Sequence, residues 1–194
     1  MFKTNVTWGE FRKELLESHN IKFKYVVKSE SAIQRFIGWF MAFFGINKTY
    51  MTEFYTIIGN TIAVPSRDAL PGEDDEFMTD KELRTYSHER VHIFQRRRDG
   101  AIKFYLRYAF SAKWRAKYEE EAYGTSMFVD WKLGADVYAW PYHVLETLDE
   151  NYRIKRKLAK EVGGRLIELA NHFEMSNFVR DIDEDLAALM DSKA

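Results

Sequence analysis

Every β-rich run of this 194-residue chain lies before Pro65, and beyond Asp80 the apolar residues recur with helical spacing. Strands segregated from helices exclude a doubly wound parallel sheet and predict an α+β fold, mostly helical, with a small antiparallel sheet. Thr7 and Glu10 have the spacing of a capping box and open a helix that runs to about His19. Ile21 to Val27 alternates apolar and basic residues, as a half-buried strand does, and a second helix is expected from Ser31 to Phe44. From Thr52 to Val64 two β-rich runs flank Gly59-Asn60, the pattern of a hairpin, and Pro65 stops its second strand. Ser66 to Asp80 reads as a solvated acidic loop, and the helical part has breaks at Asp99-Gly100, Gly134, Pro141, Gly163-Gly164 and around Ser176. The strands 21–27 and 52–64 are expected to form one sheet beside the helix that begins near residue 80. With 46% hydrophobic and 16% aromatic residues the chain is not intrinsically disordered, and its length suits a single domain, with a core at about 50–135 and a helical extension at about 136–194.

Composition removes several functional classes. The absence of cysteine excludes disulfides, thiolate catalysis and cysteine-type zinc sites, so any metal must be held by His, Asp or Glu. A net charge of −1 gives no global basic field and argues against nucleic acid as the main partner. The opening residues, MFKTNVTWGE, lack a signal-type apolar run, which predicts an intracellular, cytoplasmic protein. The most apolar piece, Phe36 to Ile46, has about half the length a membrane span requires and is expected to be a buried helix.

Residues 88 to 92 read HERVH. Thr79 and Glu82 form a second capping box and Asp99-Gly100 a stop, so one helix over 80–98 carries the whole pattern. Side chains at i and i+4 lie one above the other, which brings His88 and His92 within reach of a single ion. Glu89 is splayed off that axis, the position of a general base toward water. Gln95 is three residues beyond His92 and can hydrogen-bond a ligand or backbone, or be merely exposed. A catalytic zinc takes three protein ligands plus water. The helical stretch YEEEAY, Tyr118 to Tyr123, offers Glu119, Glu120 and Glu121 as the carboxylate, against the plainer reading of a solvated acidic face.

HERVH, then Gln95, then YEEEAY resembles the gluzincin metallopeptidases, in particular small metallopeptidases of phage and bacterial genomes with H-E-x-x-H-x-x-Q and a later E-x-E-A. The hairpin TIIGNTIAVP resembles the strand pair that precedes their zinc helix, and the likeness covers about residues 50 to 130. It implies a zincin-like domain, a Zn2+ cofactor held by His88, His92 and Glu119, and peptide-bond hydrolysis with Glu89 as general base. The position where gluzincins carry Asp, four beyond the ligand Glu, is here Tyr123.

Tyr123, Tyr142, His143 and Arg115 are the candidate donors to the scissile carbonyl oxygen. Thr61 to Val64, if an edge strand, could bind an extended peptide substrate. Arg96, Arg97 and Arg98 suit the negative end of a helix dipole. Phe104 to Trp114 reads as core with its polar positions outward, and His143 and His172 as structural. The amphipathic stretch Arg165 to Met190 is expected to pack on the domain or on a partner subunit. The expected function is a zinc-dependent metallopeptidase acting on peptide or protein, with no membrane span. The alternative is a non-catalytic assembly protein, such as a phage particle component, that keeps the fold.

Overall fold

The structure, a computed structural model, describes residues 3–20, 22–43, 51–52, 55–152, 154–171 and 175–193. In chain order the first elements are β1 (Lys3–Thr7), α1 (Trp8–His19), β2 (Lys24–Val27), α2 (Ala32–Phe43), β3 (Thr56–Ile58), β4 (Thr61–Val64) and β5 (Phe77–Thr79). Helices follow: α3 (Asp80–Asp99), α4 (Ala101–Phe110), α5 (Ala112–Lys132), α6 (Trp140–Asn151), α7 (Arg156–Asn171), α8 (Met175–Ile182) and α9 (Glu184–Lys193). The fold is α+β and mostly helical. It divides into two compact units, one of residues 1–7 with 77–194 and the other of residues 8–76.

In the unit of residues 8–76 the sheet runs in the order β2-β4-β3. β3 and β4 form the expected antiparallel hairpin, but β2 joins the opposite edge of β4 in parallel. β3 follows β2 through α2 and runs opposite to it, and the tight turn at Gly59-Asn60 reverses the chain again, so that β4 comes back parallel to β2. The sheet is therefore mixed, and the antiparallel expectation holds only for its hairpin. β4 is the central strand, paired on both sides, so it cannot accept a peptide as a further strand. Ile62, Ala63 and Val64 are fully buried on it. The start of α1 is fastened to the acidic loop by Trp8 N to Glu76 O and Gly9 N to Asp74 O, both 2.9 Å, which leaves Trp8 and Phe11 in the core.

In the part of the apolar stretch whose side chains are described, burial does not hold: Phe36 and Trp39 are 64% and 61% exposed, and Ile33 just before it is 65% exposed, while the stretch's side chains from residue 40 onward lie outside those described. Phe44 to Ile46, at the end of that stretch, lie outside the described residues, as do Ile21, Glu53, Phe54 and His172.

In the other unit an antiparallel pair, β1 and β5, packs against α3. Within this unit β1 and β5 are the strands beside the HERVH helix, and β5 lies inside the stretch expected to be an acidic loop. α3 opens as expected: Glu82 N bonds the Thr79 hydroxyl at 3.2 Å, and the Glu82 carboxylate accepts from Thr79 N at 2.7 Å. α3 and α5 pack most extensively, with α4 against both and α7, α8 and α9 against α5. The C-terminal stretch thus buries Leu166, Val179, Leu186 and Met190 within its own unit.

The expected break at Gly163-Gly164 is absent, for α7 runs through both. A Cβ on Gly163 would stand 3.3 Å from the Pro141 carbonyl oxygen, so this glycine serves close approach of α6 and α7. Pro141 does not break a helix either; it sits in the first turn of α6, where its missing N–H costs nothing. Arg90, at the middle of α3, forms a fully buried ion pair with Asp183, with Nη2 donating to Oδ1 at 2.6 Å. The same Oδ1 accepts from Leu186 N at 3.0 Å and so caps α9.

Candidate metal centre

α3 presents His88 and His92 on one face, one turn apart, and α5 crosses that face with Glu119. Glu119 Oε2 stands 3.5 Å from His88 Nε2, and Oε1 stands 3.6 Å from His92 Nε2. One ligand atom from each of the three residues lies within 4.8 Å of the others. A tetrahedral ion with bonds of about 2.0–2.1 Å spaces its ligand atoms about 3.4 Å apart; each imidazole stands close to that distance from one of the two Glu119 oxygens, and a small closure of the cluster would bring all three residues onto one ion. The Glu119 side chain is 0% exposed, and those of His88 and His92 are 12% and 10%, so solvent reaches the cluster on the histidine side.

The residues fit a cation on a second ground. Glu119 Oε2 is buried and has no hydrogen-bond partner. A carboxylate withdrawn from water needs compensating charge. Burial by itself pushes the Glu119 carboxyl up, yet His88, His92 and the Tyr108 hydroxyl together hold its pKa below the usual carboxylate value. Part of the compensation is the hydrogen bond that the Tyr108 hydroxyl donates to Glu119 Oε1, and Oε2, buried beside the His88 imidazole, is placed to take a cation.

The surrounding hydrogen bonds set the state of His92. The Gln95 amide nitrogen donates to Tyr118 O at 2.8 Å and to Glu121 Oε2 at 2.9 Å, both acceptors. Its Oε1 therefore faces His92 Nδ1, at 2.8 Å, and that nitrogen carries the proton. The lone pair is left on Nε2, pointing toward Glu119, which is the form a metal ligand requires. Gln95 is 1% exposed, so the option of an idle surface glutamine does not hold. On the other imidazole, Ser126 Oγ stands 3.5 Å from His88 Nδ1, at the limit of a hydrogen bond.

The three consecutive glutamates have separate partners. Glu119 enters the cluster, Glu120 accepts two bonds of 2.6 Å from Arg165, and Glu121 accepts from Gln95 and Arg98. The stretch is thus not a solvated face.

Glu89 is 7% exposed, and its charge acts on Tyr108, Tyr123 and Tyr152. Tyr123 lies edge-on to His88 with centroids 4.7 Å apart, and its hydroxyl is hydrogen-bonded with Tyr152. Burial and the Glu119 charge push the pKa of all three tyrosines up, so each is held in its protonated, donating form. Of the other candidate donors, Tyr142 and His143 are exposed, and Arg115 is engaged with the carbonyls of Tyr108 and Tyr152.

Tyr108 and Tyr152 escaped the sequence reading. Tyr108 donates its hydroxyl to Glu119 Oε1 from α4, and Tyr152 comes from the end of α6. Tyr108 is four residues beyond the buried Phe104, a spacing that could have marked a face turned toward the histidines; for Tyr152 no such signal exists. Comparison with family models, with curated proteins and with solved structures finds no match to this chain.

Proposed function

We propose that this chain is a zinc-dependent hydrolase of peptide bonds, a metallopeptidase of gluzincin type, in which His88, His92 and Glu119 hold the metal and Glu89 is the general base. The observation that carries the reading is the buried Glu119 carboxylate, with oxygens 3.5 and 3.6 Å from two imidazole nitrogens and one oxygen left without a hydrogen bond. Two imidazoles and a carboxylate suit zinc. Among the described residues the cluster has three members, which leaves a fourth position open as in catalytic sites, whereas structural zinc sites close all four with protein.

Zinc bound there supplies Lewis acidity, polarising a carbonyl and lowering the pKa of water to about 7. Glu89 accepts the proton of the attacking water and returns it to the departing amine. Tyr123, protonated and against His88, is the donor best situated for charge that develops on the carbonyl oxygen. The alternative, an assembly protein that keeps the site without catalysis, draws support from Tyr123 itself, which stands where gluzincins carry Asp.

Elemental analysis of the purified protein should find one zinc per chain, released by chelation and absent from His92→Ala. Glu89→Gln should retain the zinc and lose on the order of a hundredfold or more in rate on any peptide the parent cleaves. Stoichiometric zinc in His92→Ala would refute the ligand assignment, and equal cleavage by parent and Glu89→Gln would refute the base. A fully loaded parent that cleaves nothing across a broad panel of peptides and proteins would leave the assembly reading in its place.

A further inference from the structure

α4 has two apolar faces. Phe104 and Tyr108 turn inward, the first 5% exposed and the second bonded to Glu119. Ile102, Leu106 and Phe110, spaced by four and so aligned in one stripe, are 78%, 55% and 84% exposed. Soluble surfaces rarely carry such a contiguous stripe without a use for it.

The stripe lies in a strongly basic setting. Residues 96–117 and 154–160 together hold twelve of the chain's 29 Lys and Arg and one of its 30 Asp and Glu, with Glu120, Glu121 and Glu161 at their borders. Arg115 fastens these segments to one another: its guanidinium donates to the Tyr108 carbonyl near the end of α4 and to the Tyr152 carbonyl just before α7. Around that junction Lys103, Lys113 and Lys117 are exposed, and so are Lys155, Arg156 and Lys157 at the start of α7. The first turn of α7 has no acidic residue, so Lys155, Arg156 and Lys157 sit at the positive end of their own helix dipole, a place that favours an external anion, with Glu161 the acidic group one turn further on.

We infer that this face of the unit docks on an anionic bilayer surface, with Ile102, Leu106 and Phe110 entering the headgroup boundary while the lysines and arginines meet acidic lipid. An apolar stripe and a polybasic cluster are the two signals that together give stable peripheral attachment. A second copy of the chain is disfavoured as occupant because two such basic faces repel, and nucleic acid because it gives an aliphatic stripe nothing to bury against. No helix among the described residues is long and apolar enough to cross a membrane, so attachment is confined to the surface. The inference does not depend on the metal chemistry.

The test is co-sedimentation of the whole protein with vesicles of phosphatidylcholine alone and of two parts phosphatidylcholine to one part phosphatidylglycerol. Binding is expected to the mixed vesicles and not to the neutral ones, and it should weaken as salt is raised. The triple variant Lys155→Gln, Arg156→Gln, Lys157→Gln should bind about a hundredfold more weakly. Leu106→Ser with Phe110→Ser should lose about tenfold or more, with an unchanged circular dichroism spectrum because both sites are exposed. Equal binding to both vesicle types, binding to neither, or full binding by the Leu106→Ser, Phe110→Ser variant would each overturn the proposal. So would a short DNA duplex that binds the parent and this variant equally well while neither binds the mixed vesicles, an outcome that makes nucleic acid the partner. Self-association of the parent that this variant abolishes, without vesicle binding, would make the partner a second copy.

Discussion

α3 buries nine residues, among them Ser87, Glu89, Arg90, His92 and Gln95, whereas α2, far richer in apolar side chains, buries Gln34 and exposes Ile33, Phe36 and Trp39. Hydropathy ranks the two helices in the wrong order. A polar side chain costs stability inside a protein only when its partner is missing. On α3 the larger polar side chains have partners: Asp183 for Arg90, the Gln95 amide for His92, the Tyr118 carbonyl and Glu121 for Gln95, whereas the small Ser87 hydroxyl is buried without one among the described residues. Apolar area, in turn, contributes only where another surface covers it, and on α2 three large side chains remain largely in contact with solvent.

The contrast can be broken or sharpened by substitution. Arg90→Ala leaves Asp183 charged and unpaired in the core, and chemical denaturation should register a loss of about 3–5 kcal/mol. Replacing both partners, Arg90→Met with Asp183→Leu, should recover most of it; a single variant within about 1 kcal/mol of the parent would mean that the interior tolerates the lone charge. Gln95→Leu frees His92 Nδ1 from its acceptor, so at the proposed zinc site the affinity for zinc, measured against a chelator, should fall by about 10–100-fold while the fold persists. An unchanged affinity would show that the imidazole is oriented by something other than Gln95. Thr79→Ala removes the hydroxyl that caps α3 and should lower stability by about 1 kcal/mol. The smallest effect is expected on α2, where Phe36→Ser should change unfolding stability by no more than about 0.5 kcal/mol. A loss of several times that size would show that the exposed face is covered in solution and would cancel the comparison.

Local chemistry explains which parts were legible in the sequence. α3 was readable to within a residue because Thr79, Glu82 and Gly100 write its ends into adjacent positions. The approach of His88 to His92 follows from helical geometry alone. Glu119 could be separated from Glu120 and Glu121 only through a resemblance, because the facing angle of α5 depends on how it packs on α3. β2 gave its strand character but not its partner, since its pairing with β4 and not with β3, the next strand along the chain, is a matter of tertiary packing. β1 and β5 are short and pair across more than seventy positions of chain, between Lys3 and Thr79, so neither carries enough pattern to be seen alone. The orientation of α4, inward at Phe104 and Tyr108 and outward at Leu106 and Phe110, was misread because both of its faces are apolar.

The Arg90–Asp183 pair also bears on the order in which the molecule can be made. The two residues are 93 positions apart, so during synthesis α3 leaves the ribosome long before the carboxylate that neutralises its central guanidinium exists. Until residue 183 emerges, Arg90 has to stay hydrated, and α3 cannot close against the rest of its unit without trapping a bare charge. Completion of the histidine pair's surroundings is thereby deferred to one of the last events of chain growth, and a nascent chain halted before Asp183 should be readily digested by protease around α3.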